Sequence, residues 1–124
     1  MDFSIKKEQQ TILETAGKVA REDLLPRAAD IDLKSVHPTE SWAAIWRNGL
    51  LGITIPKEYG GIGLDLLEST MVLEKLAAGC ASTTASFHMH TVVQRYIDAL
   101  GTVQQKEELF SEVINEGKLF GSWG

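Results

Sequence analysis

Leu51-Gly-Ile-Thr-Ile-Pro-Lys-Glu-Tyr-Gly-Gly-Ile-Gly-Leu64 is the stretch on which the reading of this chain turns. It runs from apolar residues through Pro56 into a glycine-rich turn, and helical patterns flank it on both sides. A glycine cluster in such a place invites a phosphate-loop reading, in which bare backbone N–H groups face an anion at a helix N-terminus. The spacing Gly60-Gly61-Ile62-Gly63 fits neither G-x-G-x-x-G nor the Walker pattern, and the Walker Lys-Ser/Thr pair is missing. The βαβ alternation that such loops require is missing too. The stretch therefore reads as a structural turn that re-aims the chain between two helices.

Upstream, the spacing of Ile5, Ile12, Ala16, Val19 and Leu24 predicts a helix from about Phe3 to Leu25. Pro26 disfavours the α conformation at Leu25 and ends or kinks this helix, unless the kink is absorbed and the helix runs on to Ile31. A loop is expected from Asp32 to Pro38, with Thr39 or Ser41 capping a second helix that carries Trp42, Ala43, Ile45 and Trp46. Gly49 offers that helix a left-handed stop.

Downstream, Asp65 opens a third helix with Leu66, Thr70, Leu73 and Ala77 on one face, ended by Gly79. A fourth helix starts at Ala81 or Ser82 and runs to Leu100. It is almost uncharged all round, which marks a helix buried on most sides and the central element of the fold. Thr102 begins a fifth helix, Val103 to Asn115, with Leu109, Phe110 and Val113 facing inward and Gly117 closing it. The last residues, Lys118-Leu-Phe-Gly-Ser-Trp-Gly124, are apolar and suit the start of a β-strand.

Composition narrows the function classes. The chain has 124 residues, 44% of them hydrophobic, which supports one domain with a real core. Its net charge is −5, with Lys and Arg scattered among more numerous acids, so it carries no basic footprint for nucleic acid. The single cysteine, Cys80, excludes an internal disulfide and suggests a reducing, cytoplasmic setting. The N-terminus lacks the apolar core of a secretory signal, and no apolar run is long enough to span a bilayer, so a soluble protein is expected.

Candidate sites are few. His88 and His90 form an H-x-H pair, but on a helix they lie ~200° apart, which rules out shared coordination of a metal. His90 is either a satisfied core residue or part of a cavity wall with Phe87 and Ser86. Ser82, Thr83, Thr84 and Ser86 crowd the first turns of the fourth helix, as caps or as the hydroxyl side of a small-molecule pocket beside Phe87 and Met89. Cys80 precedes a helix N-terminus, yet no base flanks it, which fits an inert small hydrophobe.

Taken together, Ile55-Pro-Lys-Glu-Tyr-Gly-Gly-Ile-Gly-Leu64 resembles the I-P-x-x-Y-G-G-x-G connector of the acyl-CoA dehydrogenase family. The flanking order is similar as well. Asp2-Phe3-Ser4 through Gln9 resembles the family's opening, and Gly49-Leu-Leu-Gly-Ile53 leads into the connector. Glu74-Lys75-Leu76-Ala77 and Ser82-Thr83 follow, and Leu100-Gly-Thr-Val-Gln-Gln-Lys106 resembles F/Y-G-x-x-x-Q-K. The resemblance covers the whole chain in order.

The resemblance implies an all-α domain, an orthogonal-to-up-down bundle of about five to six helices. Residues 1–118 would be the N-terminal helical domain, and residues 119–124 the start of a middle β-domain. It implies FAD as cofactor, α,β-dehydrogenation of an acyl-CoA thioester, an electron-transfer acceptor as partner, and a dimer or tetramer of the full-length protein. Neither the catalytic base nor most of the FAD contacts is expected within these 124 residues. The fourth helix would form one wall of the acyl pocket, with Ser86, Phe87 and His90, or Met89 in place of His90, along the thioester and acyl chain. Ser122 and Trp123 stand where flavin-contacting residues begin, although they depart from the family's usual T-E-P style. The histidines suggest a short or polar acyl chain. Two alternatives stay open: a flavin-dependent monooxygenase of the same architecture, with His88 or His90 facing a flavin oxygen adduct, and a free-standing helical interaction module.

Overall fold

A computed structural model describes residues 5–121, and among these there are helices and no strand. Helix α1 (Lys7–Val19) continues through a π turn (Ala20–Leu24) into α2 (Leu25–Lys34). Then come α3 (Thr39–Arg47), the connector with one 3₁₀ turn (Lys57–Tyr59), α4 (Leu66–Ala77), α5 (Ala81–Leu100) and α6 (Val103–Glu116). The order is that of the expected all-α bundle.

Pro26 neither stops nor sharply breaks the first helix. It has no N–H to give to the carbonyl four residues back, and the chain widens by one residue there: the Leu25 N–H reaches the Ala20 carbonyl. The helix then runs to Lys34, past Ile31, and closes on Ser35 at φ 49°. The expected loop from Asp32 therefore begins three residues late. Two further expectations fail. Neither Thr39 nor Ser41 caps α3, whose N-cap is Pro38, and Ser41 is buried within the helix. The stripe Leu66, Thr70, Leu73, Ala77 is not the inward face of α4 either. Leu66 is 70% exposed, and Ser69, Val72 and Leu76 are the buried residues. Asp65 fixes the first turn as expected, and packing against α1 and α5 selects the buried face. The Asp65 carboxylate accepts from the Glu68 N–H at 2.8 Å, and Glu68 accepts from the Asp65 N–H at 2.9 Å. Thr102 and Gln105 start α6 with the same reciprocal pair.

The core gathers Ala16, Val19 and Leu24, then Trp42 and Ile45, then Leu50, Leu51, Ile53 and Ile55 of the connector, with Leu76, Phe87, Phe110 and Val113. Helix α4 packs between α1 and α5, and α6 packs on α5 and on the 3₁₀ turn, where Tyr59 meets Phe110 at 5.4 Å. The connector thus supplies core side chains as a helix would.

Candidate functional site

The connector folds back on itself. The Gly60 N–H donates to the Lys57 carbonyl, Gly61 to Pro56, Ile62 to Gly52 and Leu64 to Ile53, at 2.8–3.2 Å. The Gly60, Gly61 and Ile62 amides are spent inside the turn, so this stretch does not present the row of bare N–H groups that a phosphate cradle needs. Gly61 is where the turn closes most tightly: a Cβ there would lie 2.1 Å from the Ile55 carbonyl oxygen. The apolar residues before Pro56 are buried, with Ile53 and Ile55 fully so.

Helix α5 stitches this connector at both ends. Near its start, the Gln94 amide donates to the Leu51 carbonyl at 2.8 Å and lies 2.6 Å from His90 Nε2. Thr54 Oγ1 donates to Gln94 Oε1 at 2.7 Å. Near its end, Arg95 donates to the Leu64 carbonyl at 3.3 Å and to Ser69 Oγ at 3.0 Å. His90 itself faces the Leu51 carbonyl through Nε2 at 3.2 Å and the Phe120 main chain through Nδ1. Trp42 packs edge-on against both Phe87 and His90, with centroids 5.8 and 5.7 Å away. Burial pushes the His90 ring down to about 4, against the two backbone hydrogen bonds, so it is neutral at neutral pH.

The four pocket candidates on α5 divide into two pairs. Phe87 and His90, three residues apart, share the inward face and are fully buried. Ser86 is exposed, with its hydroxyl turned to the Ser82 carbonyl, and Met89 is half-buried. Ser122 and Trp123 lie outside the described residues. His88 is exposed on α5 while His90 is buried, and among the described residues no cluster of His, Cys, Asp and Glu could hold a metal. Cys80 sits buried before α5. Burial pushes its thiol up, but hydrogen bonds from Ser82 and Thr83 outweigh this and hold it below its ordinary value.

One cavity was not singled out from sequence. An open groove of about 530 Å³ runs between α4 and α5, lined by Thr70, Leu73, Ala77, Thr84, Ala85 and His88 among others. Its lining is mostly apolar, with the hydroxyls of Thr70 and Thr84, the His88 imidazole and the Glu74 carboxylate as its polar points, the mixture a small-molecule site uses. The signal for it was the set of small residues, Ala77, Ala81 and Ala85, at facing positions on two helices.

Among the described residues no helix is long and apolar enough to cross a membrane. The family model described as "Acyl-CoA dehydrogenase, N-terminal domain" matches residues 6–116. The chain is 33% identical over 119 residues to an acryloyl-CoA reductase (NADH) of Anaerotignum propionicum, covering 96% of this chain and 30% of that protein. It is 30% identical over 125 residues to a short-chain-specific acyl-CoA dehydrogenase of Clostridium acetobutylicum, covering 100% of this chain and 33% of that one. The solved structure of butyryl-CoA dehydrogenase from Megasphaera elsdenii superposes with a TM-score of 0.84 at 26% identity, covering 96% of this chain and 32% of the other. The chain thus spans about one third of the length of these relatives. With its helix order, its connector and a family match along nearly all of its length, the chain belongs to the acyl-CoA dehydrogenase family, as an N-terminal domain.

Proposed function

We propose that the full-length protein is an FAD-dependent acyl-CoA dehydrogenase, and that these residues supply walls of its acyl pocket and no catalytic base. The observation that carries the reading is the family match over residues 6–116, together with a mostly apolar groove on α5. The 124 residues alone are expected to turn nothing over.

The glycine-rich turn is a poor cradle for a flavin dinucleotide, because its Gly60, Gly61 and Ile62 amides already donate to carbonyls of the same connector. The proposal therefore places FAD on regions that the relatives have and this stretch does not span. It keeps residues 1–118 as the helical domain and 119–124 as the entry to a middle β-domain. An electron-transfer acceptor, a homo-oligomer and a cytoplasmic setting belong to the same reading.

For the pocket wall, the proposal assigns different roles along α5. Met89 and Ser86 are on faces a ligand can reach, while Phe87 and His90 support the helix from behind. Thr84, Ala85 and His88 line the groove on a neighbouring face of the same helix, which Ser86 and Met89 do not reach. Polar groups at Thr70, Thr84 and His88 suit a short or polar acyl chain better than a long aliphatic one. The names of the relatives, short-chain, acryloyl and butyryl, run the same way. The monooxygenase reading loses one of its two histidines, because both His90 nitrogens are engaged inside the domain.

The test is a profile of kcat/KM against acyl-CoA length on the full-length protein, repeated with Ala85→Phe. A bulky ring in the groove should penalise longer chains by about tenfold relative to shorter ones, the scale on which a pocket senses a methylene or two. A native profile peaking on long unbranched acyl-CoA refutes the short-chain assignment. A profile that Ala85→Phe leaves unchanged refutes the groove as acyl site.

A further inference from the structure

We infer that His90 is a positioning residue that latches the segment by which the chain leaves the helical domain, 118–121, onto α5 and the connector. The inference rests on contacts within this domain and holds whatever reaction the full-length protein performs.

Two stretches far apart in sequence meet on one imidazole. The Phe120 N–H donates to Nδ1 at 2.9 Å, and the Phe120 carbonyl lies 3.1 Å from the same nitrogen. Nε2 faces the Leu51 carbonyl and the Gln94 amide. Each neutral tautomer is served. With the proton on Nε2, the ring donates to Leu51 and accepts from the Phe120 N–H. With the proton on Nδ1, it donates to the Phe120 carbonyl and accepts from Gln94. The Phe120 ring stacks obliquely on the imidazole at 5.9 Å. Beyond it the chain still hugs the helix, since a Cβ at Gly121 would lie 3.8 Å from the His90 amide nitrogen and 4.0 Å from Met89 Cβ. Among the described residues no regular ladder holds this segment. After the α6 C-terminus its described backbone partners are the Glu112 carbonyl, reached by the Lys118 N–H, and this histidine.

A side chain meant only to fill the core at this point would be apolar, like Phe87 one turn earlier. An imidazole serves a different end: it answers main-chain groups from two directions and is fixed from behind by Gln94 and Thr54. In either charge state the ring keeps a partner on the departing segment: neutral with the proton on Nε2 it accepts from the Phe120 N–H, and with a proton on Nδ1 it donates to the Phe120 carbonyl. The groups packed on the ring are uncharged: Leu51 from the connector, Trp42 from α3, Phe87 and Gln94 from α5, and Phe120. The titratable groups next to those neighbours are His37, stacked on Trp42 at 6.4 Å, the exposed His88, and the Lys118–Glu112 ion pair at 2.6 Å.

The test is amide hydrogen exchange on the full-length protein, with α5 amides as internal reference. His90→Phe keeps ring volume and removes both nitrogens, so Phe120 should exchange at least about tenfold faster while α5 stays protected. His90→Asn puts a carbonyl oxygen near the place of Nδ1 and should restore protection to within about threefold of the native value. Unchanged Phe120 exchange in His90→Phe overturns the latch. So does an Asn variant as open as the Phe variant, because the role would then be packing alone. Should His90→Phe not fold, the native protein decides the matter. The latch requires the Phe120 amide to exchange at least about tenfold more slowly than its intrinsic peptide rate, and exchange at that intrinsic rate overturns it.

Discussion

Replacing Gly61 by alanine tests how firmly the connector is built. The new Cβ would lie 2.1 Å from the Ile55 carbonyl oxygen, 2.5 Å from Ile55 Cβ and 2.6 Å from Ile55 C. Ordinary contact begins near 3.4 Å, so the overlap is more than about 1 Å and falls on backbone. Neither wall can retreat. Ile55 is fully buried, and Gly61 is tied to the Pro56 carbonyl at 3.2 Å. Overpacking of this severity costs about 3 kcal/mol or more. With a urea slope of about 1.5 kcal/mol/M, the unfolding midpoint should fall by about 2 M. Gly49→Ala is the matched control. Gly49 also sits in a turn, at φ 72°, but a Cβ there meets nothing within 4 Å. It should lose only the left-handed penalty of about 1 kcal/mol. Urea denaturation of both variants, followed by circular dichroism, makes the comparison. If Gly61→Ala costs no more than Gly49→Ala, the connector is not the close-packed turn described above.

Other outcomes follow from single contacts. The folded His90 pKa of about 4 lies below the ordinary 6.5, so the unfolded chain binds the proton first as pH drops. Stability should be at its plateau above pH 6.5 and decline as pH falls towards about 4, by on the order of 3 kcal/mol, and His90→Asn should flatten that decline in urea titrations across the window. Asp65→Ala removes the cap on Glu68 and should cost about 1 kcal/mol in urea denaturation. Phe87→Ala empties a fully buried site against Trp42 and should cost about 3–5 kcal/mol by the same measurement, or unfold the domain outright.

The sequence displayed the helices because their ends are chemically marked. Asp65 with Glu68, Thr102 with Gln105, and the left-handed stop at Gly49 are local signals, and local structure obeyed them. Pro26 shows the limit of that logic. A proline removes one hydrogen bond, but packing of Leu24 in the core and a one-residue π turn let the helix continue. The rotated face of α4 shows another limit. Leu66 and Leu73 look like core residues in isolation, and it is the packing of α4 against α1 and α5 that turns Val72 and Leu76 inward instead. The groove between α4 and α5 left only a faint mark in the sequence, because it is made of the side chains that Ala77, Ala81 and Ala85 lack. The role of His90 was half legible. Its burial follows from the pattern of α5, but its partners Leu51 and Phe120 are 39 and 30 residues away and no spacing rule connects them.

The account stands or falls on whether this helical domain serves acyl-CoA oxidation. The most direct measurement is anaerobic addition of butyryl-CoA to the purified full-length protein while the visible absorption of its flavin is followed. The account predicts that the flavin band bleaches with butyryl-CoA and not with free CoA. A protein that carries no flavin, or whose flavin spectrum is unmoved by acyl-CoA thioesters of any length, contradicts it.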